Sequence, residues 1–265
     1  MSRRSARIGE GVRIAPDAIR AHKVRSSLTV LGVAVGVSVV VLVAALITGI
    51  RTSILSGVES AGPDNFIVMR WDLTAVRISA GNDRPPWWNR PPLEPEEAER
   101  LDRLPGVGEA LYNFGFGVTV DYESRRLSGV SAQGYSAGWP RYSEGDFVAG
   151  RDFIPAEVRA SRAVVVITTE MAEELFGPLD PLGRRIGLAV PWRRTREEFT
   201  VIGVFEPGEN IFTDAAPMWV VVPYTAATKR LKVNDSQAQI LVVPADTVPQ
   251  QVAMDQVTEA MRIER

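Results

Sequence analysis

The sequence contains no cysteine and a single histidine, His22, among its 265 residues. The absence of cysteine excludes disulfides, thiolate catalysis and cysteine-ligated metal sites. A lone histidine near the N-terminus excludes a Ser-His-Asp triad and a multi-histidine metal site in the rest of the chain. The sequence also lacks the GxxxxGK[ST] loop with which P-loop proteins hold nucleotide phosphates. We therefore expect no catalytic, metal-binding or cofactor-binding residue in this chain.

Basic residues are concentrated before Leu28, although the formal net charge of the whole chain is only -2. The remainder of the chain is acidic on balance and has no continuous basic stripe, which argues against a nucleic-acid partner. A basic cluster that borders an apolar segment instead indicates membrane orientation and contact with anionic lipid. The cluster consists of Arg3, Arg4, Arg7, Arg13, Arg20, Lys23 and Arg25.

The segment from Leu28 to Ile50 reads LTVLGVAVGVSVVVLVAALITGI and contains no charged residue. At about 1.5 Å of rise per residue, a helix of this length crosses a hydrocarbon core of about 30 Å. A cleaved signal peptide would have a shorter apolar region and a small-residue cleavage site, which the following residues do not provide. We therefore predict an uncleaved, single-pass transmembrane helix over 28–50. The basic flank predicts a cytoplasmic N-terminus and places the bulk of the chain outside the cell membrane.

Residues 1–27 are predicted to form a cytoplasmic segment with a helix along the membrane surface. This segment is either a coupling element that contacts a cytoplasmic partner or only an interfacial anchor. Arg20, Lys23 and Arg25 are the candidate contacts for the partner or for lipid headgroups. Within the span, Gly32 and Gly36 form a GxxxG step, which lets a second helix approach closely. We predict helix packing at these two glycines.

Residues 51–265 combine helical and strand patterns, which predicts an α+β domain with mixed sheets. Strands are predicted at 65–71, 107–120, 125–133, 163–167, 184–188, 198–205, 218–222 and 237–243. Helices are predicted at 51–62, 93–104, 169–176, 224–231 and 249–265. Segments 74–92, 136–152 and 207–217 are rich in Gly, Pro, Asn or Trp and are predicted to be irregular. In the last helix, Val252, Val257, Ala260 and Ile263 are expected to face inward.

Several sequence segments occur in an order and spacing that resemble one protein family. The matching segments are AIRAHKVRSSLTVLGVAVGV around the start of the span, NFIVMR after it, EEAERLDRLPGV, GDFVAGRDFIPAEVRASRAVVVITTEMAEELFG, DPLGRRIGL, FTVIGVFEP and WVVVPY. Over nearly its whole length the sequence resembles the MacB/FtsX-like family of ABC transporter permeases. None of the segments is chemically unique, and the resemblance depends on their combination.

The resemblance implies a permease that works as a homo- or heterodimer with a separate or fused cytoplasmic ABC ATPase. It implies that the extracytoplasmic domain has two lobes, a core lobe at about 65–133 and 237–265 and an inserted lobe at about 136–231. In such proteins, ATP hydrolysis is coupled to export or to mechanical work outside the inner membrane, in some cases with a periplasmic adaptor. Arg20, Lys23 and Arg25 would then contact the ATPase or lipid.

The sequence also departs from the family pattern. Family members have three further membrane helices after the extracytoplasmic domain, and this sequence contains none of them. We therefore expect the N-terminal part of a permease, or a permease subunit, that does not transport by itself.

Two other functions are compatible with parts of the sequence. A stand-alone membrane-anchored binding or adaptor domain would use exposed loops, with Trp87 and Trp88 or segment 207–217 as a partner surface. The two tryptophans could equally pack onto a local core. An extracytoplasmic hydrolase would need an acid and a base from among Asp146, Asp152, Glu170, Glu173 and Glu174. The lack of a nucleophile motif such as GxSxG argues against the hydrolase.

Overall fold

The computed structural model describes residues 23–60, 64–70, 90–191, 195–208 and 217–264. The chain divides into two compact units, Met1–Ile54 and Leu55–Arg265, and each is described by itself. The predicted segment 1–22, most of the predicted loop 74–92 and most of the predicted loop 207–217 lie outside the described residues.

A single helix, α1, runs from Lys23 to Ser60 and contains the predicted span. The sequence pattern predicted a helix over 28–50 that continues over 51–62, and the structure confirms both within the described residues. Because valine and threonine lose side-chain freedom in a helix, this sequence is a mediocre helix former in water. In lipid, however, the backbone groups have no other partners than each other, which favours the helix.

The domain that follows alternates strands with short helices. Its elements are β1 (Phe66–Met69), α2 (Pro95–Leu101), β2 (Val107–Tyr122), β3 (Arg125–Tyr135), a 3-10 turn (Trp139–Tyr142), β4 (Gly145–Gly150), α3 (Pro155–Arg159), β5 (Val164–Thr168), α4 (Thr169–Phe176), β6 (Arg185–Ala189), β7 (Arg196–Pro207), β8 (Trp219–Pro223), α5 (Tyr224–Lys229), β9 (Gln239–Pro244) and α6 (Gln250–Glu264). The α+β class and every predicted strand and helix of this domain are confirmed, with shifted boundaries.

The prediction of an irregular segment over 136–152 was wrong in part. β4 lies within it and pairs antiparallel with the end of β7. Only the centre of β4, Phe147-Val148-Ala149, has side chains that favour a strand, because glycines stand at both of its ends. The short helix α3 was also not predicted.

The nine strands of the described residues belong to one sheet, in the order β1-β9-β2-β3-β8-β5-β7-β4, while β6 pairs with both β2 and β7. Strand pairing therefore closes on itself around the ring β2–β3–β8–β5–β7–β6. β3 pairs in parallel with β8, and β5 pairs in parallel with β7, while the remaining ladders are antiparallel. β9 and β1 extend the sheet from the first half of β2, and β4 lies beside β7 at the other end.

The predicted division into a core lobe and an inserted lobe stays a prediction. The predicted boundary between Gln133 and Ser136 falls at the end of β3. Two ladders, β3–β8 and β2–β6, connect strands of the predicted core lobe with strands of the predicted inserted lobe. Hydrogen bonding along these ladders therefore joins the two parts of the chain.

The core consists of two apolar clusters on opposite faces of the same strands. In β5, Val165 and Ile167 pack into the larger cluster, whereas Val164 and Val166 pack into the smaller one. This follows from the alternation of side chains along a strand, and it explains why AVVVI is apolar at every position. The smaller cluster is aromatic, with Trp139, Phe205 and Trp219 at its centre.

The predicted inward face of α6 was wrong at two positions. Val252 is 45% exposed and Ile263 is 79% exposed, whereas Val257 is 3% exposed. The face that packs on the core is formed instead by Ala253, Val257, Ala260 and Met261, which follow the helical spacing i, i+4, i+7 and i+8. Apolar residues on both sides of this helix made its buried face ambiguous in the sequence.

Candidate functional site

Helix α1 contains a 23-residue window, Ser27–Gly49, that is long and apolar enough to cross a membrane. None of this window is buried inside the protein. Large apolar side chains are therefore exposed along the whole window; for example, Val33 is 63%, Leu42 is 62% and Leu46 is 59% exposed. Such a surface is unfavourable in water and requires a lipid or protein environment.

Three hydroxyl groups of this window form hydrogen bonds within the helix. Thr29 Oγ1 donates to the carbonyl of Arg25 at 3.0 Å, and Thr48 Oγ1 donates to the carbonyl of Ala44 at 2.9 Å. Ser27 Oγ donates to the carbonyl of Val24 at 3.1 Å. These bonds remove the cost of placing a free hydroxyl in hydrocarbon.

Gly32 and Gly36 lie one helical turn apart on the same face of α1. Apart from the helix's own backbone, no described atom lies within 4 Å of the position that a Cβ would take at either glycine. The face is thus open to close approach by a second helix, and packing at this step stays a prediction.

The remaining predicted contact residues are only partly described. Lys23 is the first residue of α1, and Arg25 is exposed in its first turn. Two positions along a helix correspond to about 200°, so positions 23 and 25 do not lie on the same face of α1. Arg20, Trp87 and Trp88 lie outside the described residues. The structure therefore brings Gly32 and Gly36 together but not Lys23 and Arg25.

In the domain after α1, two tyrosines define an open recess of about 310 Å³, here called the tyrosine crevice. Tyr112 comes from β2 and Tyr224 is the first residue of α5, and their rings meet edge to face with centroids 5.1 Å apart. Apolar side chains of α2, β2 and α3 form the walls. The polar residues that line it are Glu99, Asp102, Glu109, Tyr112, Ser136, Arg159 and Tyr224.

The two tyrosines differ in their hydrogen bonding. The hydroxyl of Tyr112 donates to Asp235 Oδ2 at 3.0 Å, which is outside the crevice lining. Burial raises the pKa of Tyr112, and the charge of Asp235 raises it further. Burial also raises the pKa of Tyr224, followed by the charges of Glu99 and Glu96. Both phenols therefore stay protonated at neutral pH. Because the O–H of Tyr112 is already donated to Asp235, Tyr112 contributes aromatic surface to the crevice rather than a hydrogen-bond donor.

One of the carboxylates that line the crevice, Glu109, is already paired. Glu109 forms an ion pair with Arg141 at 2.6 Å and accepts a hydrogen bond from the hydroxyl of Tyr142 at 2.7 Å. Burial and this hydrogen bond raise the pKa of Tyr142 to about 12. Sequence reasoning missed the crevice because residues 112 and 224 share no motif, and only the inward alternation of β2 could have suggested Tyr112.

Asp152, one of the carboxylates considered for hydrolysis, instead forms hydrogen bonds that stabilise the local structure. Its Oδ1 accepts from the indole Nε1 of Trp139 at 2.9 Å and from the backbone N–H of Phe153 at 2.8 Å. Its Oδ2 accepts from the backbone N–H of Gly138 at 2.9 Å. Asp152 therefore holds the 3-10 turn and the aromatic cluster in place. The other four candidates, Asp146, Glu170, Glu173 and Glu174, have exposed or partly exposed side chains.

Helix α1, which has membrane-spanning length and composition, is followed in the chain by a mixed α+β domain. The sequence model of the MacB-like periplasmic core domain matches residues 26–260 of this chain. The chain belongs to this family, which confirms the resemblance seen in the sequence.

Curated relatives carry the same family name over a longer chain. A protein of Bordetella avium, named macrolide export ATP-binding/permease protein MacB, is 30% identical over 258 residues, which is 95% of this chain and 36% of the relative. The protein of the same name from Neisseria meningitidis serogroup A is 27% identical over 96% of this chain and 37% of the relative. This chain thus spans about a third of the length of these relatives.

Solved structures share the fold. The periplasmic region of MacB from Actinobacillus actinomycetemcomitans matches with a TM-score of 0.62 at 18% identity, covering 79% of this chain and 88% of that one. The extracellular domain of the noncanonic ABC-type transporter YknZ from Gram-positive bacteria matches with a TM-score of 0.50 at 20% identity, covering 65% and 80%. At these identities the matches establish the fold of the domain.

Proposed function

We propose that this chain is a permease subunit of an ABC transporter, or the N-terminal part of one. It would couple ATP hydrolysis by a partner ATPase to export or to mechanical work outside the inner membrane. The observation that carries this proposal is the direct succession of one unburied apolar helix and a MacB-like periplasmic core domain. Catalysis of ATP hydrolysis would belong to the partner, and this chain would transmit motion.

The proposed orientation has a cytoplasmic N-terminus and a periplasmic or extracellular domain. It is supported by the basic residues before the span, which the positive-inside rule keeps in the cytoplasm. Arg20, Lys23 and Arg25 would then contact the ATPase or the lipid headgroups at the cytoplasmic end of α1. A second permease chain would pack at Gly32 and Gly36, and a periplasmic adaptor would contact the domain.

The proposal is tested by recovering the ABC ATPase encoded beside this gene with the tagged full chain from detergent-solubilised membranes. We expect recovery by the wild type and a loss of at least about tenfold when Arg20, Lys23 and Arg25 are all replaced by glutamine, since charged contacts are each worth about 1–3 kcal/mol. A control variant replaces Arg3, Arg4 and Arg7, which lie further from the span. Equal recovery of the ATPase by both variants would contradict the coupling role.

The relatives are named for macrolide export, so a macrolide is the substrate to test first. A host that lacks its own macrolide exporter would express this chain together with the neighbouring ATPase and any permease segment encoded after residue 265. We expect resistance to rise only when the ATPase is active. Resistance that is unchanged by the complete system would reject macrolides as the cargo. The ATPase recovery experiment would then decide whether the chain is a permease subunit.

The second candidate is a stand-alone anchored binding or adaptor domain. The tyrosine crevice favours this function, because it offers two aromatic rings, the phenol of Tyr224 and an apolar wall without any need for ATP. The two candidates differ in one measurable respect. A binding domain keeps its activity in cells that lack the neighbouring ATPase, whereas a permease subunit loses it.

A further inference from the structure

Three arginines line a second recess of the domain, remote in sequence from the tyrosine crevice. Arg162, Arg185 and Arg230 share this open recess of about 410 Å³ with Glu157, Glu198 and Thr200. We call it the arginine recess. It does not overlap the lining of the tyrosine crevice, and its interpretation does not depend on the proposed function.

The sheet itself fixes the floor of the arginine recess. Thr200 in β7 pairs with Val164 of β5 on one side and with Arg185 of β6 on the other. Because Phe199 and Val201 point into the core, Thr200 and Glu198 lie on the opposite face of β7. A hydroxyl and a guanidinium therefore start from adjacent strands on a rigid surface.

The other two arginines come from the edges of helices α3 and α5. Arg162 follows α3, and its backbone N–H donates to the carbonyl of Glu157 at 2.9 Å. Arg230 follows α5, and its Nε donates to the carbonyl of Ser161, the neighbour of Arg162, at 2.6 Å. This bond anchors Arg230 and leaves its two terminal nitrogens for another acceptor.

The carboxylates of the recess do not neutralise all three arginines. Glu157 is held by Arg151 outside the recess through two bonds of 2.8 and 2.9 Å, and it also accepts from the backbone N–H of Ile154 at 3.0 Å. Glu198 pairs with Arg185 at 3.6 Å, with both side chains more than half exposed. Within the described part of the chain, Arg162 and Arg230 form no ion pair with a carboxylate.

Among the described residues, the guanidinium groups of Arg162 and Arg230 have no carboxylate partner, and they share the recess with the Thr200 hydroxyl. This combination of donors suits an acceptor with several oxygen atoms. Each guanidinium has five N–H donors in a planar fork that matches phosphate or carboxylate oxygens in pairs. A carboxylate has only two oxygens, whereas a phosphate group can face both forks and the hydroxyl together. The volume of the recess also exceeds that of a phosphate ion, so an attached group fits.

We propose that the arginine recess binds a phosphate ester, held chiefly by Arg162 and Arg230 and supported by Arg185 and Thr200. The phosphate group can be carried by a small soluble ester or by a lipid headgroup, and the recognition chemistry is the same for both. Since all three arginines are exposed, the affinity falls as salt is added.

The test is a calorimetric titration of the full chain, purified in a phosphate-free detergent at low ionic strength, with glycerol 3-phosphate. We expect saturable binding that weakens about tenfold in Arg162→Gln and in Arg230→Lys, because each loses a charge-assisted fork; tenfold corresponds to about 1.4 kcal/mol. Arg162→Gln removes an exposed side chain with no described hydrogen bond, so it should fold normally. Arg230→Lys retains the charge but removes the planar fork, including the Nε that bonds to the carbonyl of Ser161.

Arg159→Gln is the matched control, because Arg159 is exposed on α3 and does not line the arginine recess. Its affinity should stay within about twofold of the wild type. Glycerate, which has a carboxylate in place of the phosphate, should bind at least about tenfold more weakly. Equal binding of glycerate, equal loss in Arg159→Gln, or no saturable binding of glycerol 3-phosphate would each overturn the proposal.

A second titration with short-chain phosphatidylglycerol distinguishes the two sources of the phosphate. Binding of this lipid that is tighter than that of glycerol 3-phosphate and sensitive to Arg162→Gln supports a lipid headgroup as the ligand. Tighter binding of glycerol 3-phosphate supports a soluble ester. Lipid binding whose affinity is unchanged in both arginine variants would show that the lipid does not bind at the arginine recess.

Discussion

At the scale of single residues, Asp152 shows how one carboxylate can organise a turn. It accepts three N–H groups, from Gly138, Trp139 and Phe153, and thereby connects the segment after β4 to the 3-10 turn. Burial raises its pKa from the ordinary value of 3.8, while these three hydrogen bonds and the charge of Arg151 act in the opposite direction. Burial is the largest of these effects.

Asp152→Asn is expected to lower the free energy of unfolding by about 1–3 kcal/mol. The amide NH₂ that replaces Oδ2 would face the N–H of Gly138, so that a buried donor loses its acceptor. Urea denaturation of the detergent-solubilised chain measures this effect. Asp146→Asn, at an exposed position of β4, is the control and should change the stability by less than about 0.5 kcal/mol. A small effect at both positions would contradict the anchoring role.

Asp152 also makes the stability depend on pH in a defined direction. Because its pKa is higher in the folded state, the folded protein binds more protons at this site than the unfolded chain. The stabilisation that the folded protein gains from protonated Asp152 is fully present below pH 3.8, the ordinary pKa. It is lost as the pH rises through the raised pKa of the folded state. The stability difference between wild type and Asp152→Asn should therefore shrink with rising pH in this window. A difference that grows with pH would show that the pKa is lowered instead.

The residue-level contacts were largely inaccessible from the sequence. Asp152 was identifiable as one of several carboxylates, but its partner Trp139 lies 13 positions away in an irregular segment. The tyrosine crevice joins residues 112 and 224, and the arginine recess joins residues 162, 185 and 230. Such combinations depend on strand order, and strand order is not encoded in any local spacing.

At the scale of elements, β4 depends on glycines for its close pairing with β7. Gly150 has a φ of +78°, and a Cβ at this position would overlap the carbonyl oxygen of Ile202. Gly129 in β3 has a similar φ of +74°, but no described atom lies within 4 Å of its virtual Cβ. Comparing substitutions at the two glycines therefore separates the energetic cost of a positive φ from the cost of steric overlap with β7.

Gly129→Ala should cost about 1–2 kcal/mol, which is the cost of a left-handed conformation for an L-residue. Gly150→Ala should cost a further 1–3 kcal/mol, approximately the cost of overpacking, because β4 must move away from β7. Thermal or urea unfolding measures both variants against the wild type. If the two substitutions cost the same, the close approach of β4 and β7 has no energetic significance.

Helix α1 carries the prediction for assembly. Replacing both Gly32 and Gly36 by leucine fills the open face and should lower the dimer fraction at least about tenfold, since close helix contact contributes about 1–2 kcal/mol or more. Chemical crosslinking in membranes or sedimentation in detergent measures the dimer. The control replaces Ala34 and Ser38 by leucine on the opposite face of the same turns. A dimer that is unchanged in the first variant, or equally lost in the control, contradicts packing at the glycines.

Elements with strong periodicity were predicted well, and weakly marked ones were not. The helix over 28–50 and the buried strand AVVVI could be predicted because the residues of each segment all suit an apolar environment. β4 and α3 were missed because glycine and proline around them favour turns, and tertiary pairing with β7 overrides that local preference. In α6, apolar residues on both sides concealed the face that packs on the core.

At the scale of the whole molecule, the orientation across the membrane can be measured directly because the chain has no cysteine. Ser128→Cys places a single thiol at an exposed position of β3. We expect this thiol to react with a membrane-impermeant maleimide in cells with a permeabilised outer layer. A thiol at Ser5, in the basic N-terminal segment, should react only after the inner membrane is opened. The reverse pattern would contradict the proposed orientation.

The closed ring of strands, described above as a pattern of hydrogen bonds, also determines when the domain can fold. Phe66 in β1 pairs with Val242 in β9, so a strand that emerges directly after the membrane helix has its partner 176 positions later. At a synthesis rate of about 5–20 residues per second, β1 waits on the order of ten seconds or more as an unpaired apolar edge. The ring itself closes only after β8 has appeared. The domain therefore completes its strand pairing only after β9 has been synthesised, and the nascent chain is most exposed to aggregation and proteolysis before that point.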